Sequence, residues 1–202
     1  VRYPGAIIAS FKQSGIMAPG NVTKVRIEGK INDSDWKVLK DDLRHIYYMD
    51  LSATIIDSIP SNQFRGDCKI NNIILPSSIK KIGNNAFNGC NNLQLEKLYL
   101  ENCEYVGCGA FANSFIKNYI FNKAVVIGDS AFAKSKISTI DFRCGSQIGK
   151  KAFENCTNLS TIIFAGRSSI DKEAFRNCVS LTSVSLPELD NSLGNCAFYG
   201  CT

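Results

Sequence analysis

Read for apolar positions alone, the chain repeats one short pattern, L-x-x-L-x-L, with other aliphatic or aromatic residues standing in for leucine. It occurs as VTKVRI (22–27), IYYMDL (46–51), INNIIL (70–75), LEKLYL (95–100), IKNYIF (116–121), ISTIDF (137–142), LSTIIF (159–164) and LTSVSL (181–186). The last two apolar positions of each copy are two apart and share one face, which predicts eight β-strands. Between strands a second pattern returns, I-G-x-x-A-F-x-x-C. It reads IGNNAFNGC (82–90), IGKKAFENC (148–156), IDKEAFRNC (170–178) and LGNCAFYGC (193–201). VGCGAFANS (106–114) and IGDSAFAKS (127–135) end on Ser114 and Ser135 instead, and the poorest copy is IPSNQF (59–64).

The repeat phenylalanines are Phe64, Phe87, Phe111, Phe132, Phe153, Phe175 and Phe198, at intervals of 23, 24, 21, 21, 22 and 23 residues. A period of about 20–29 residues with one strand per copy is the leucine-rich range. The predicted fold is therefore a repeat solenoid, with a parallel β-sheet on the concave face and loops and short helical turns on the convex face. One such unit cannot bury its apolar face alone, so stacked turns must share a continuous core. Each Phe should enter the same core layer, with the preceding Ala leaving room for the ring. Gly83, Gly107, Gly128, Gly149 and Gly194 share one slot, where a positive φ or a close backbone approach is expected. Pro60 and Asp171 occupy that slot in two copies.

The pattern divides the chain into an N-terminal cap, residues 1–45, and repeats over 46–202. In the cap, Pro4 starts a short helix burying Ile7, Ile8 and Phe11. A second helix is expected from Ser34 to Leu43, capped by Asp33 or Ser34, with Trp36, Leu39 and Leu43 on one side. It should cover the open end of the core. Thr202 directly follows the loop of the final copy, so the last repeat reads as truncated, and a secretory leader reads as already removed.

Nine cysteines are many for 202 residues. Cys90, Cys156, Cys178 and Cys201 all stand three residues after the repeat Phe, where Ser114 and Ser135 substitute. Exchange of Cys for Ser at one slot predicts small, buried, weakly polar groups rather than disulfides, although neighbouring ladder cysteines could come close enough to oxidise. Cys68, Cys103, Cys108, Cys144 and Cys196 fall outside that slot. Net charge is +5, from 23 basic and 18 acidic residues, without a Lys/Arg run, so no nucleic-acid partner is expected. No run of about 18 apolar residues occurs, so no membrane span is expected.

The string LPSSIKKIGNNAFNGCNNLQLEKLYL (75–100) resembles the BspA-like leucine-rich repeat, and residues 22–58 resemble the N-terminal cap of such proteins from Bacteroides-type anaerobes. The resemblance covers roughly residues 20–202. It implies secretion or attachment at the cell surface, and an adhesin that binds host extracellular-matrix proteins or other microbes. No catalytic residues carry over from it. The residues themselves agree. The single histidine, His45, has no nucleophile signature beside it. No zinc-ligand spacing, phosphate-binding loop or dinucleotide fingerprint is present, so neither cofactor nor metal nor enzymatic activity is expected.

A partner would meet the outward residues of the strands, the third and fifth positions of each copy. The third-position column runs Lys24, Tyr48, Asn72, Lys97, Asn118, Thr139, Thr161, Ser183. The fifth-position column runs Arg26, Asp50, Ile74, Tyr99, Ile120, Asp141, Ile163, Ser185. Tyr48, Ile74, Tyr99 and Ile120, with Lys97 and Asp50, form the candidate surface for a protein ligand. A structural spacer is an alternative, and a carbohydrate-binding surface through Tyr47, Tyr48 and Tyr99 is a third reading.

Overall fold

The computed structural model describes residues 23–41, 46–66, 69–93, 100–186, 188–190 and 193–202. The chain coils so that each turn stacks on the one before. Its strands are β1 (Lys24–Gly29), β2 (Tyr48–Thr54), β3 (Ser58–Ile59), β4 (Asn72–Ile74), β5 (Lys81–Ile82), β6 (Tyr105–Val106), β7 (Asn118–Phe121), β8 (Val125–Ile127), β9 (Thr139–Phe142), β10 (Ser146–Ile148), β11 (Thr161–Phe164) and β12 (Ser168–Ile170). All pairings among them are parallel. The L-x-x-L-x-L strands pair as β1-β2-β4 and as β7-β9-β11. Residues 94–99, which hold most of the LEKLYL copy, lie outside the described residues.

Six of the eight expected strands are thus present. The final copy, 181–186, is described but is not a strand. Leu181 is buried, yet Leu186 is exposed, and the outward places hold Ser183 and Ser185, which lack the branched carbons that favour a pleated surface. The structure also adds a feature absent from the sequence reading. The residues just before the glycine slot form a second sheet of six strands, β3-β5-β6-β8-β10-β12. Each is only two or three residues long.

The A-F-x-x-C segment turns the chain back without forming a helix. Within it, N–H groups bond three residues back, as in Ala131 N to Gly128 O (3.2 Å) and Ser135 N to Phe132 O (3.0 Å). The same turns are tied to each other. The Phe N–H of one turn donates to the Ala carbonyl of the next, at 2.7–2.8 Å from Phe64 through Phe175. The glycine slot shows the close approach that was expected. A Cβ on Gly128 would lie 2.6 Å from the backbone nitrogen of Cys108 in the preceding turn. Positive φ falls elsewhere, two and six places downstream of the slot. Ser130 (54°), Lys151 (57°) and Glu173 (58°) adopt it at the first place, and Asn113, Asn155 and Asn177 (56–59°) at the second. Left-handed backbone costs a non-glycine residue about 1–2 kcal/mol. The inter-turn hydrogen bonds hold these residues there.

The seven repeat phenylalanines form one column. Successive rings from Phe64 to Phe198 stack with centroids 5.1–5.3 Å apart. The alanines beside them are buried, as their small size predicts. A second aromatic row, Phe121–Phe142–Phe164, stacks at 5.7 and 5.4 Å from the last apolar position of three strands. Phe142 meets Phe153 edge-on at 6.5 Å and joins the two rows.

At the N-terminal side, helix α1 (Asp33–Asp41) closes this core. Its cap is Asn32 rather than Asp33 or Ser34. The Asn32 side-chain oxygen accepts from the N–H of Asp35 (3.0 Å), and the Asp35 carboxylate accepts from the N–H of Asn32 (3.0 Å). This reciprocal pair satisfies two donors that a helix start leaves open. Trp36, Val38 and Leu39 are buried, and Trp36 meets Phe64 edge-on at 6.4 Å. Leu43 and the helix expected after Pro4 lie outside the described residues.

Candidate functional site

Strand register decides which outward residues are neighbours. On β1, β2 and β4, Lys24, Tyr48 and Asn72 form one row, and Arg26, Asp50 and Ile74 form the next. On β7, β9 and β11 the rows are Asn118–Thr139–Thr161 and Ile120–Asp141–Ile163. Tyr48 and Ile74 stand in different rows. Tyr48 is opposite Asn72 and Ile74 opposite Asp50, so the two are diagonal neighbours across one strand gap. Tyr99 and Lys97 lie outside the described residues, and Ile120 belongs to the second strand group.

The two fifth-position rows share a chemistry. Each sets an arginine-paired carboxylate beside an aliphatic side chain, Asp50 beside Ile74 and Asp141 between Ile120 and Ile163. Asp50 accepts a hydrogen bond from the N–H of Ser52 (2.9 Å), and the Arg26 guanidinium stands 3.9 Å away. Partial burial pushes the Asp50 carboxyl up, but the Ser52 hydrogen bonds and then the Arg26 charge outweigh it and hold the pKa below its usual value. Asp141 accepts from Arg143 Nε at 3.3 Å. On either side of it Ile120 and Ile163 leave 44% and 46% of their surface to solvent. Asp141, Arg143 and Ile163 were not among the candidates, although the fifth-position column already contained two of them. Their pairing is set by register and side-chain reach.

The cysteine slot is structural. The Cys156 thiol donates to the Phe132 carbonyl (3.0 Å), Cys178 to Phe153 (3.2 Å) and Cys201 to Phe175 (3.3 Å), each to the turn before. Ser114 donates to Phe111 of its own turn (2.6 Å). Burial pushes the Cys156 thiol up to about 11, raises Cys103 to about 11, and raises Cys178 further. Such thiols are poor nucleophiles and ligands near neutral pH. Cys90 corrects the expectation of free thiols throughout this slot, because it is disulfide-bonded. Stacked turns lie about 4.8 Å apart, and a disulfide spans Cα separations of about 4.4–6.8 Å. Cys108 and Cys196 are exposed. His45 lies outside the described residues. Among the described residues no group of three or more His, Cys, Asp or Glu could hold a metal ion.

A family profile described as a BspA type leucine-rich repeat region matches in six copies, over residues 57–167 and 94–202. The chain belongs to this BspA-type repeat family. Among solved structures, a leucine-rich repeat protein from Bacteroides ovatus aligns with a TM-score of 0.50 and 18% identity, over 89% of this chain. The chain spans 58% of that protein's length, and at this identity the likeness shows the fold alone. No curated protein matches the sequence. BspA-type repeats serve in general as interaction or surface modules, are typically secreted or surface-exposed, and are in general non-enzymatic. Among the described residues no helix is long and apolar enough to cross a membrane.

Proposed function

We propose that this BspA-type chain is an adhesin-like module, secreted or held at the cell surface, that binds a protein of the host matrix or of another microbe. The ligand sits on the outward face of the L-x-x-L-x-L strands. One observation carries the reading: Ile120 and Ile163 are both nearly half exposed and flank Asp141 in register on a parallel sheet. Apolar groups on a rigid sheet lose little freedom when a partner covers them. Covering them is worth about 25 cal/mol per Å². The carboxylate between them, held by Arg143, supplies orientation. The Arg26–Asp50–Ile74 row repeats the chemistry, with Tyr48 beside it, and the sequence pattern puts Lys97 and Tyr99 on the strand between the two groups. The Cys90 disulfide suits an oxidising, extracytoplasmic compartment.

The test is surface plasmon resonance against a panel of immobilised extracellular-matrix proteins and whole microbial surface extracts. The protein should bind at least one. Tyr48→Ala with Tyr99→Ala, and separately Ile120→Ser with Ile163→Ser, should each weaken that binding by at least about tenfold at an unchanged melting temperature. Unaltered binding in both double variants would remove this face from consideration. Absence of any binding would favour a spacer.

A further inference from the structure

The six-stranded sheet has an outer face of its own. β6, β8, β10 and β12 set Tyr105, Val126, Gln147 and Ser169 in one row. Alongside, an open groove of about 610 Å³ runs past these residues and past the carboxylates of Asp129 and Asp171. Gly128, Gly149 and Gly194 form part of its lining, where the backbones of successive turns approach closely. Its volume lies within the range of about 300–1,000 Å³ typical of small-ligand sites.

The polar inventory is specific. Asp129 spends one carboxylate oxygen on the N–H of Lys150 (2.9 Å), and Asp171 spends one on the N–H of Lys172 (2.6 Å). Each keeps a second oxygen that can accept from a hydroxyl. Gln147 is exposed and its amide both donates and accepts. Tyr105 offers a flat apolar ring, braced by the Lys81 ammonium 5.3 Å from its centroid. The two carboxylates outnumber the one ammonium, Lys81, that stands at the Tyr105 end of the row, so the groove disfavours polyanionic ligands.

Geometry narrows the ligand further. The groove crosses the strands, so its features recur once per turn, about every 4.8 Å. An extended peptide advances about 3.4 Å per residue and would drift out of step. It would also find the strand N–H and C=O groups already paired within the sheet. A chain of pyranose rings advances by roughly one ring per turn, with an apolar ring face for Tyr105 and hydroxyls for the amide and carboxylates. We propose that this groove binds a linear, uncharged glycan, laid along the solenoid axis with about one sugar ring per turn. The site is on a different sheet from the proposed protein-binding face and does not depend on it.

The experiment is isothermal titration calorimetry with cellotetraose, laminaritetraose, mannotetraose and tetra-N-acetylchitotetraose, each beside its disaccharide, with tetragalacturonate as the charged comparison. At least one neutral tetrasaccharide should bind, about tenfold or more tighter than its disaccharide. Tyr105→Ala and Gln147→Ala should each cut that affinity by about tenfold, whereas Ile120→Ser should leave it unchanged. Gln147 is solvent-facing, so its variant keeps the test valid should Tyr105→Ala fail to fold. Three results overturn the proposal: no neutral tetrasaccharide binding at millimolar concentration, preference for tetragalacturonate, or wild-type affinity in Gln147→Ala.

Discussion

Replacing Phe132 by alanine tests the central ring column. Phe132 is fully buried, with Phe111 stacked at 5.3 Å on one side, Phe153 at 5.1 Å on the other and Tyr119 at 5.8 Å. Truncating a buried Phe costs about 3–5 kcal/mol, and the spread reflects how far the site can collapse. Here collapse is opposed from both sides. The flanking backbones are held by Phe111 N to Ala131 O and Phe132 N to Ala152 O, both 2.7 Å. Two stacked pairs are also lost, each contributing about 0.5–1.5 kcal/mol beyond area burial. The loss should therefore fall at about 4–5 kcal/mol, the upper part of the range. Phe198 is the internal comparison. It is half-buried and, among the described residues, stacks on Phe175 alone, so Phe198→Ala should cost about 1–2 kcal/mol by partial area loss. Urea titration followed by circular dichroism measures both. Hydrogen exchange should show protection lost first at the turns flanking position 132, because repeats couple to nearest neighbours. A cost for Phe132→Ala below about 1.5 kcal/mol, or no larger than that for Phe198→Ala, would refute the role assigned to the column.

Other perturbations follow from single contacts. Gly128→Ala drives a Cβ to 2.6 Å from Cys108 N and 2.8 Å from the Gly107 carbonyl carbon, both backbone atoms that cannot swing aside. It should lower stability by about 1–3 kcal/mol, and an unchanged thermal melt would contradict the close approach. The Tyr119 hydroxyl is buried without a hydrogen-bond partner, and burial pushes its pKa well up. Tyr119→Phe should gain about 1 kcal/mol in urea titration, and a loss of that size would mean the hydroxyl is satisfied. Native maleimide labelling read by mass spectrometry should modify Cys108 and Cys196 quickly, and Cys103, Cys156 and Cys178 only on unfolding. Cys90 should remain unlabelled until reduction, and labelling of Cys156 as fast as Cys108 would overturn the buried-thiol assignment.

Much of the candidate surface was legible before any coordinates. The third and fifth strand positions point outward because side chains alternate along a strand, and the rows found on β7, β9 and β11 are those the columns predicted. Tyr48 and Ile74 fall in different columns of the sequence, and register sets them diagonally, as those columns imply. The ion pairs within the rows were not legible. The carboxylate between Ile120 and Ile163 gains meaning only once Arg143 is seen to hold it.

By itself the sequence determined the period, the turn that carries each phenylalanine and the face that each strand buries. Those are local properties, written in residue spacing and in the size of Ala and Gly beside the rings. Tertiary structure decided the rest. Two-residue strands such as Lys81–Ile82 are too short to show alternation, and they become a sheet only when stacked. Ser130, Lys151 and Glu173 take left-handed backbone although nothing in their side chains asks for it, because the neighbouring turns' hydrogen bonds require it. The second aromatic row likewise arises from residues 20 or more places apart, Phe121, Phe142 and Phe164, brought within a few ångströms by stacked coils.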